Sequence, residues 1–200
     1  MRLGLYGGTF DPVHYGHLLL AEQCREQCRL DEVRFLPSGN PPHKQSGEMT
    51  SGQLRTEMLE LALAGHPEFV VDRRELDRDG TTYTVDTLAE FAAEDSEREL
   101  FFLMGADSLH DLPNWREPQR ICELATIVAV NRGDRPLPSL EDIQRTLGEA
   151  VASRIEIVTM PGIDLSATDL RRRVRDRHSI RFMTPRAIEV FIDAHELYRD

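Results

Sequence analysis

Residues 2–17, RLGLYGGTFDPVHYGH, together with the apolar-rich stretch from Leu18 to Cys28, decide the reading of the fold. Arg2 to Tyr6 is a short apolar strand that runs straight into Gly7-Gly8, and Leu18 to Cys28 carries apolar residues at helical spacing. The segment is therefore a strand, a glycine turn and a helix. Outward from it, the stretches Glu32–Leu36, Phe69–Asp72, Leu100–Met104, Thr126–Val130 and Ile155–Met160 read as strands, several of them continuous apolar runs of the kind buried on both faces. Helical patterns lie between them at Gly52–Ala64, Thr84–Ala93, Glu117–Glu123 and Leu140–Ala150. Such β-α alternation predicts an α/β fold, a doubly wound, Rossmann-like parallel sheet. Two last helical stretches, Thr168–Arg177 and Pro185–Leu197, have no strand after them and predict a small C-terminal helical appendage. The expected organisation is one domain over 1–200, with a sheet core over 1–165 and helices over 166–200.

The 200 residues are 40% hydrophobic and 30% charged, the balance of an ordinary globular protein with enough chain to bury a core. A net charge of −11 argues against DNA or RNA as the main partner, since phosphate backbones are bound by surfaces with excess positive charge. A small phosphorylated ligand stays open, because it needs only a few local cations and backbone amides. No apolar run approaches the roughly 20 residues of a membrane span, and MRLGLYGG lacks the basic start and long apolar stretch of a signal peptide, so a cytoplasmic protein is expected. Cys24, Cys28 and Cys122 show no CxxC spacing and read as reduced, structural thiols.

In open α/β sheets ligands bind outside the carboxyl ends of the strands, and the first β-α turn favours phosphate. Here Gly7 and Gly8 let backbone amides approach an anion, followed by Thr9 and Phe10. If Tyr15 opens the helix, His14 and His17, three residues apart, project to the same side of its N-terminus and can donate to phosphate oxygens. Taken alone the pair could equally be a cap, a surface feature or two metal ligands. The absence of GxGxxG counts against a dehydrogenase. Five other segments are open to bland readings: Pro37 to Lys44 as a rigid surface loop, Thr82 to Leu88 as a capped helix start, Gly105-Ala106-Asp107 as a turn with a capping carboxylate, Trp115 as core, and Leu165 to Arg171 as ordinary helix capping with solvated arginines.

GGTFDPVHYGH closely resembles the GGTFDPxHxGH opening of the bacterial nicotinate-nucleotide adenylyltransferases, within the nucleotidyltransferase superfamily marked by HxGH. The resemblance extends over essentially the whole chain, with the motifs in the family's order. It implies that Gly7, Gly8, Thr9 and Phe10 cradle ATP and that His14 and His17 contact its phosphates and stabilise the departing pyrophosphate. PSGNPPHK is similar to the family's PxxxPPHK loop, which places Asn40, His43 and Lys44 near substrate phosphates. TYTVDTL resembles the YTxDT segment lining the pyridine site, implicating Tyr83, Thr84 and Thr87, and LPNWR resembles LPxWR, whose Trp115 would stack on the pyridine. Gly105 and Asp107 match the GAD segment beside the adenylate ribose. LSATDLR looks like ISSTxIR, a second phosphate clamp of Ser166, Thr168 and Arg171 in which Thr168 can cap the following helix; Ala167 replaces the family's second serine and removes one hydroxyl.

The implied reaction is adenylyl transfer from ATP to nicotinate mononucleotide, with His14, His17, Lys44 and Arg171 as the catalytic charges. Mg²⁺ carried on the ATP, rather than in a protein cage, is the expected cofactor. The expected partners are these two nucleotides, without nucleic acid or membrane, and self-association is left open. Alignment and charge stabilisation suffice for such a transfer, which agrees with the lack of a GxSxG elbow or catalytic-cysteine context. Backbone amides at the YTVDT helix start suit a nicotinate carboxylate better than a neutral carboxamide.

Overall fold

The computed structural model describes residues 1–39, 49–132 and 140–199, without the side chains of Asp107, Arg132 and Leu140. The chain runs β1 (Arg2–Gly8), α1 (Tyr15–Gln27), β2 (Glu32–Pro37), α2 (Gly52–Leu63), β3 (Phe69–Val71), α3 (Thr84–Glu94), β4 (Glu99–Gly105) and α4 (Ala106–Leu109). It continues through a 3-10 turn (Leu112–Asn114), α5 (Pro118–Leu124), β5 (Thr126–Arg132), α6 (Leu140–Leu147), α7 (Glu149–Ala152), β6 (Ile155–Met160), α8 (Ala167–Arg175) and α9 (Arg186–Ala194). The strands form a parallel sheet in the order β3-β2-β1-β4-β5-β6. From β1 the chain winds outward to β2 and β3, then returns to β4 on the other side. The carboxyl ends of β1 and β4 therefore flank the point where winding reverses, where an open α/β sheet leaves a crevice.

Side-chain alternation along the strands builds two cores. On one face Tyr6, Phe35, Leu103 and Val128 pack with Leu20 and Cys24 of α1 and Met58 and Leu59 of α2. Leu170 of α8 and Ile188 and Ile192 of α9 are buried in that same cluster, so the C-terminal helices complete the α1/α2 layer. On the other face Leu3, Leu5, Phe102 and Ile127 meet Val85, Leu88 and Phe91 of α3, Ile121 of α5 and Ile143 of α6. Each such side chain stabilises the fold by roughly 1.5–3 kcal/mol on burial. Cys24, Cys28 and Cys122 are unpaired and buried; burial, with Glu156 nearby, pushes the Cys28 thiol up to about 11. Among the described residues no helix is long and apolar enough to cross a membrane.

All six expected strands form, with several boundaries and details corrected. Gly7 and Gly8 belong to the end of β1, paired with Leu36 and Pro37, and the turn begins at Thr9. A β-carbon on Gly8 would lie 2.9 Å from the Phe10 ring, which folds back from a left-handed backbone at φ 49°. Gly8→Ala should therefore destabilise the protein by about 1–3 kcal/mol, read as a lower urea midpoint; an unchanged midpoint would mean that the ring moves aside freely. The helix expected over Leu140–Ala150 breaks at Gly148, whose φ of 93° no helical residue adopts. The last two helices are shorter than expected, ending at Arg175 and Ala194, and α4 and the 3-10 turn are additions too short to carry a periodic signal.

Candidate active site

Beyond β1, the turn Thr9–Val13 delivers the chain to α1. His14 is the extended residue before the helix, at φ −146° and ψ 169°, and Tyr15 opens it. The His14 and His17 rings stack with centroids 3.7 Å apart and planes 19° from parallel. His14 can fold so tightly because its neighbour in the helix is Gly16, where a β-carbon would sit 3.0 Å from the His14 ring. The His14 backbone N–H donates to Nδ1 of His17 at 3.2 Å. An accepting Nδ1 leaves the ring proton on Nε2, so His17 presents an N–H donor away from its own helix. Phe10 supports the pair from below, its ring edge-on to His17 at 5.1 Å. Phe10 was expected in the ATP cradle; its side chain is 1% exposed and belongs to the core, which leaves only its backbone to meet a ligand.

The second clamp reaches the same turn. Arg171, at the middle of α8, donates from Nη1 to the Asp11 carbonyl at 2.7 Å and from Nη2 to the Thr168 hydroxyl at 3.5 Å. Ser166, rather than Thr168, caps α8 by accepting from the Asp169 N–H at 3.1 Å, since the helix starts at Ala167. Gly105 ends β4, and Asp107 follows in α4. Asn40, His43 and Lys44 lie outside the described residues.

Beside the turn opens a cleft of about 740 Å³ lined by Gly7, Gly8, Thr9, Tyr83, Thr84 and Trp115 from the expected set. That volume suits a nucleotide-sized ligand. Trp115 is half-buried and edge-on to Phe102 at 5.9 Å, which leaves its indole lining the cleft. Tyr83 precedes α3, and no side chain caps that helix start. Thr87 does not line the cleft. It is 2% exposed, and its hydroxyl donates to Glu75 at 2.9 Å while accepting from Arg78 at 3.2 Å.

Several further lining residues carry no role in the sequence reading: Ser38, Asn114 and Arg116, which lie inside quoted motifs, and Ser108 and Glu75, which do not. Burial pushes the Glu75 carboxyl up, with Thr87 and Arg78 only partly opposing it. The Arg116 guanidinium lies 4.7 Å from the Tyr83 ring centre and 3.6 Å from the Asp86 carboxylate. Behind the cleft, buried Arg55 donates to three carbonyls: Thr9 at 2.8 Å, Ser38 at 2.9 Å and Thr50 at 2.9 Å. Burial lowers its pKa while Asp11 pulls it back up. One guanidinium thus ties the turn after β1 to both flanks of the segment 40–48. A separate hollow of about 560 Å³ beside α8 and α9 is rimmed by Arg177, His178 and Arg199 and holds none of the expected site residues.

Stacked histidines at a helix start, set at the sheet's switch point beside an indole-lined cleft, define an α/β nucleotide-handling protein with a phosphate cradle. The Cytidylyltransferase-like family matches residues 5–173. The chain is 45% identical to a protein of Thermomicrobium roseum named "Probable nicotinate-nucleotide adenylyltransferase", over 99% of this chain and 92% of that one. It is 43% identical to a Thermus thermophilus protein of the same name, over 100% of both. The chain belongs to the nicotinate-nucleotide adenylyltransferases, nucleotidyltransferases of the cytidylyltransferase-like family. In fold it superposes on the Plasmodium falciparum nicotinic acid mononucleotide adenylyltransferase complexed with NaAD, with a TM-score of 0.78 and 16% identity over 98% of this chain and 97% of that one.

Proposed function

We propose that the chain transfers the AMP of ATP to nicotinate mononucleotide, forming nicotinate adenine dinucleotide and releasing pyrophosphate. The observation that carries the reading is the placement of the His14–His17 stack on one side of Gly7–Thr9 and the Trp115 cleft on the other, two half-sites meeting at the end of β1. ATP phosphates occupy the histidine side, with Arg171; the pyridine mononucleotide occupies the cleft. An oxygen of the mononucleotide phosphate attacks the α-phosphorus, a new P–O bond forms, and the bond to the β-phosphate oxygen breaks, its electron pair leaving with pyrophosphate. The nucleophile is already an anion, so no protein nucleophile is needed. His17 donates from Nε2 to the oxygens on which charge develops, and His14 and Arg171 add to that field.

Mg²⁺ would come with the ATP, held by its phosphates and by water, the oxygen ligands so hard a cation prefers. Bound in that way, it neutralises phosphate charge. Three unpaired thiols suit a reducing compartment, the cytoplasm.

Pyrophosphate release from ATP and nicotinate mononucleotide by the purified protein, with the dinucleotide product quantified, tests the reading; a protein that binds both nucleotides and turns over neither is a sensor instead. Within it, Trp115→Ala should raise KM for the mononucleotide about tenfold and KM for ATP by less than about twofold, the loss of one stacking face. Equal losses for both would return Trp115 to a packing role.

A further inference from the structure

The Thr9–Val13 turn makes no regular backbone ladder, yet it must hold two rings in a 3.7 Å stack. Much of what holds it comes from far along the chain. The carboxylate of Asp11, 1% exposed, accepts from the Tyr198 hydroxyl at 2.5 Å on Oδ1 and from the Thr50 N–H at 3.1 Å on Oδ2. The Asp11 carbonyl accepts from Arg171. Two residues on, the Val13 carbonyl accepts from buried Thr184 at 2.7 Å, and the Tyr15 N–H donates to the Met183 carbonyl at 3.2 Å. Residues 11, 13 and 15 are thus each tied to the segment after β6, and His14 sits between the last two.

We propose that Asp11 is a positioning residue for the histidine pair, and that Tyr198, beyond α9, sets Asp11 through its hydroxyl. This rests on the adenylyl-transfer reading for its catalytic consequence, though not for its geometry. A hydroxyl-to-carboxylate bond is charge-assisted and directional. Burial and Asp11 hold the phenol well above its ordinary pKa, so Tyr198 remains a donor throughout the working range. When that donor is lost, the Asp11 carboxylate keeps, among the described residues, the Thr50 amide and the charge of nearby Arg55, the turn relaxes, and the histidines leave the alignment that transfer requires. Misplacement of about 1 Å can cost up to 10²-fold in rate, and loss of one tie among several should cost about tenfold.

Tyr198→Phe, which removes one oxygen, is the test. Kinetics are measured well below the melting temperature, and the imidazole resonances of His14 and His17 are followed by NMR in the ligand-free protein. The expected result is a kcat about tenfold lower, KM for both nucleotides within about twofold, shifted imidazole resonances, and no further loss of kcat from Tyr198→Phe in an Asp11→Asn background. In an active wild type, unmoved resonances, an unchanged kcat, or an equal further loss in the Asp11→Asn background each overturn the proposal, because a merely structural tyrosine would move only the melting temperature. If Asp11→Asn does not fold, the first two readouts decide. If the wild type shows no turnover, the functional reading fails and the resonances alone decide the positioning.

Discussion

Alanine at His14 or at His17 should lower kcat for adenylyl transfer by about 10²-fold or more, the usual loss when a preorganised donor to developing charge is removed. The two positions differ in what else they lose. His17 is half-buried, and its Nδ1 already accepts the His14 amide, so the group the reaction would use is the Nε2–H; its deletion removes one donor and leaves the His14 N–H without that partner. His14 is 2% exposed and packs on Gly16 and the His17 ring, so alanine there also opens a small void. His14→Asn, which refills part of that space with an amide donor, separates the effects: it should restore stability more than rate. Because donors in this role would act most strongly on the departing pyrophosphate, KM for ATP should move far less than kcat. Pyrophosphate release under saturating substrates, with circular dichroism to show that each variant is folded, checks this. A variant with near-normal turnover removes its histidine from the mechanism.

What the sequence let one read, and what it hid, divides along a physical line. The strands were legible because β1, β4 and β5 are buried on both faces along their middles and are apolar there, and the turn after β1 was legible because two glycines, two histidines and a helix start fall together at that strand's end. Arg55, Glu75 and Tyr198 were not. Each acts through partners that the chain brings near only by folding: Arg55 on Thr9 and Ser38, Glu75 on Thr87, Tyr198 on Asp11. Arg55 did leave a trace, since it shares the buried stripe of α2 with Met58 and Leu59, and a cation in an apolar stripe needs carbonyls or carboxylates to meet it. Thr87 was misplaced for the opposite reason: at a helix start its hydroxyl suits a ligand and a buried carboxyl equally well, and only packing shows that Glu75 takes it.

Nicotinate mononucleotide should be preferred to its amide by at least roughly 10²-fold in kcat/KM, the scale of one charge-assisted hydrogen bond to the carboxylate. The start of α3 borders the cleft through Thr82, Tyr83 and Thr84; the Asp86 N–H donates to the Tyr83 carbonyl at 3.1 Å, and because the Tyr83 side chain makes no cap, the Thr84 and Val85 amides are the ones that can meet an anion. A carboxamide would set its own NH₂ against those donors. Two charges brought to the cleft only by folding bear on the size of the effect. Arg116 lines the same cleft, but Asp86 at 3.6 Å and Glu117 at 3.6 Å share its charge and it is half exposed, which weakens it as an anion partner. Glu75 works in the other direction: an ionised carboxyl there would repel the acid and could accept from the amide; its burial, which pushes its pKa up, softens that opposition, and the Thr87 hydroxyl and nearby Arg78, which favour the ionised form, only partly undo the softening. If the helix end carries the discrimination, Arg116→Ala should reduce the acid-to-amide ratio by less than about tenfold. Both substrates measured by pyrophosphate release at saturating ATP, in the native protein and in Arg116→Ala, give the ratio directly. Equal efficiencies in the native protein would sink the acid-specific reading while leaving nucleotidyl transfer standing, and a ratio that collapses in Arg116→Ala would move the discrimination from the helix start to the guanidinium.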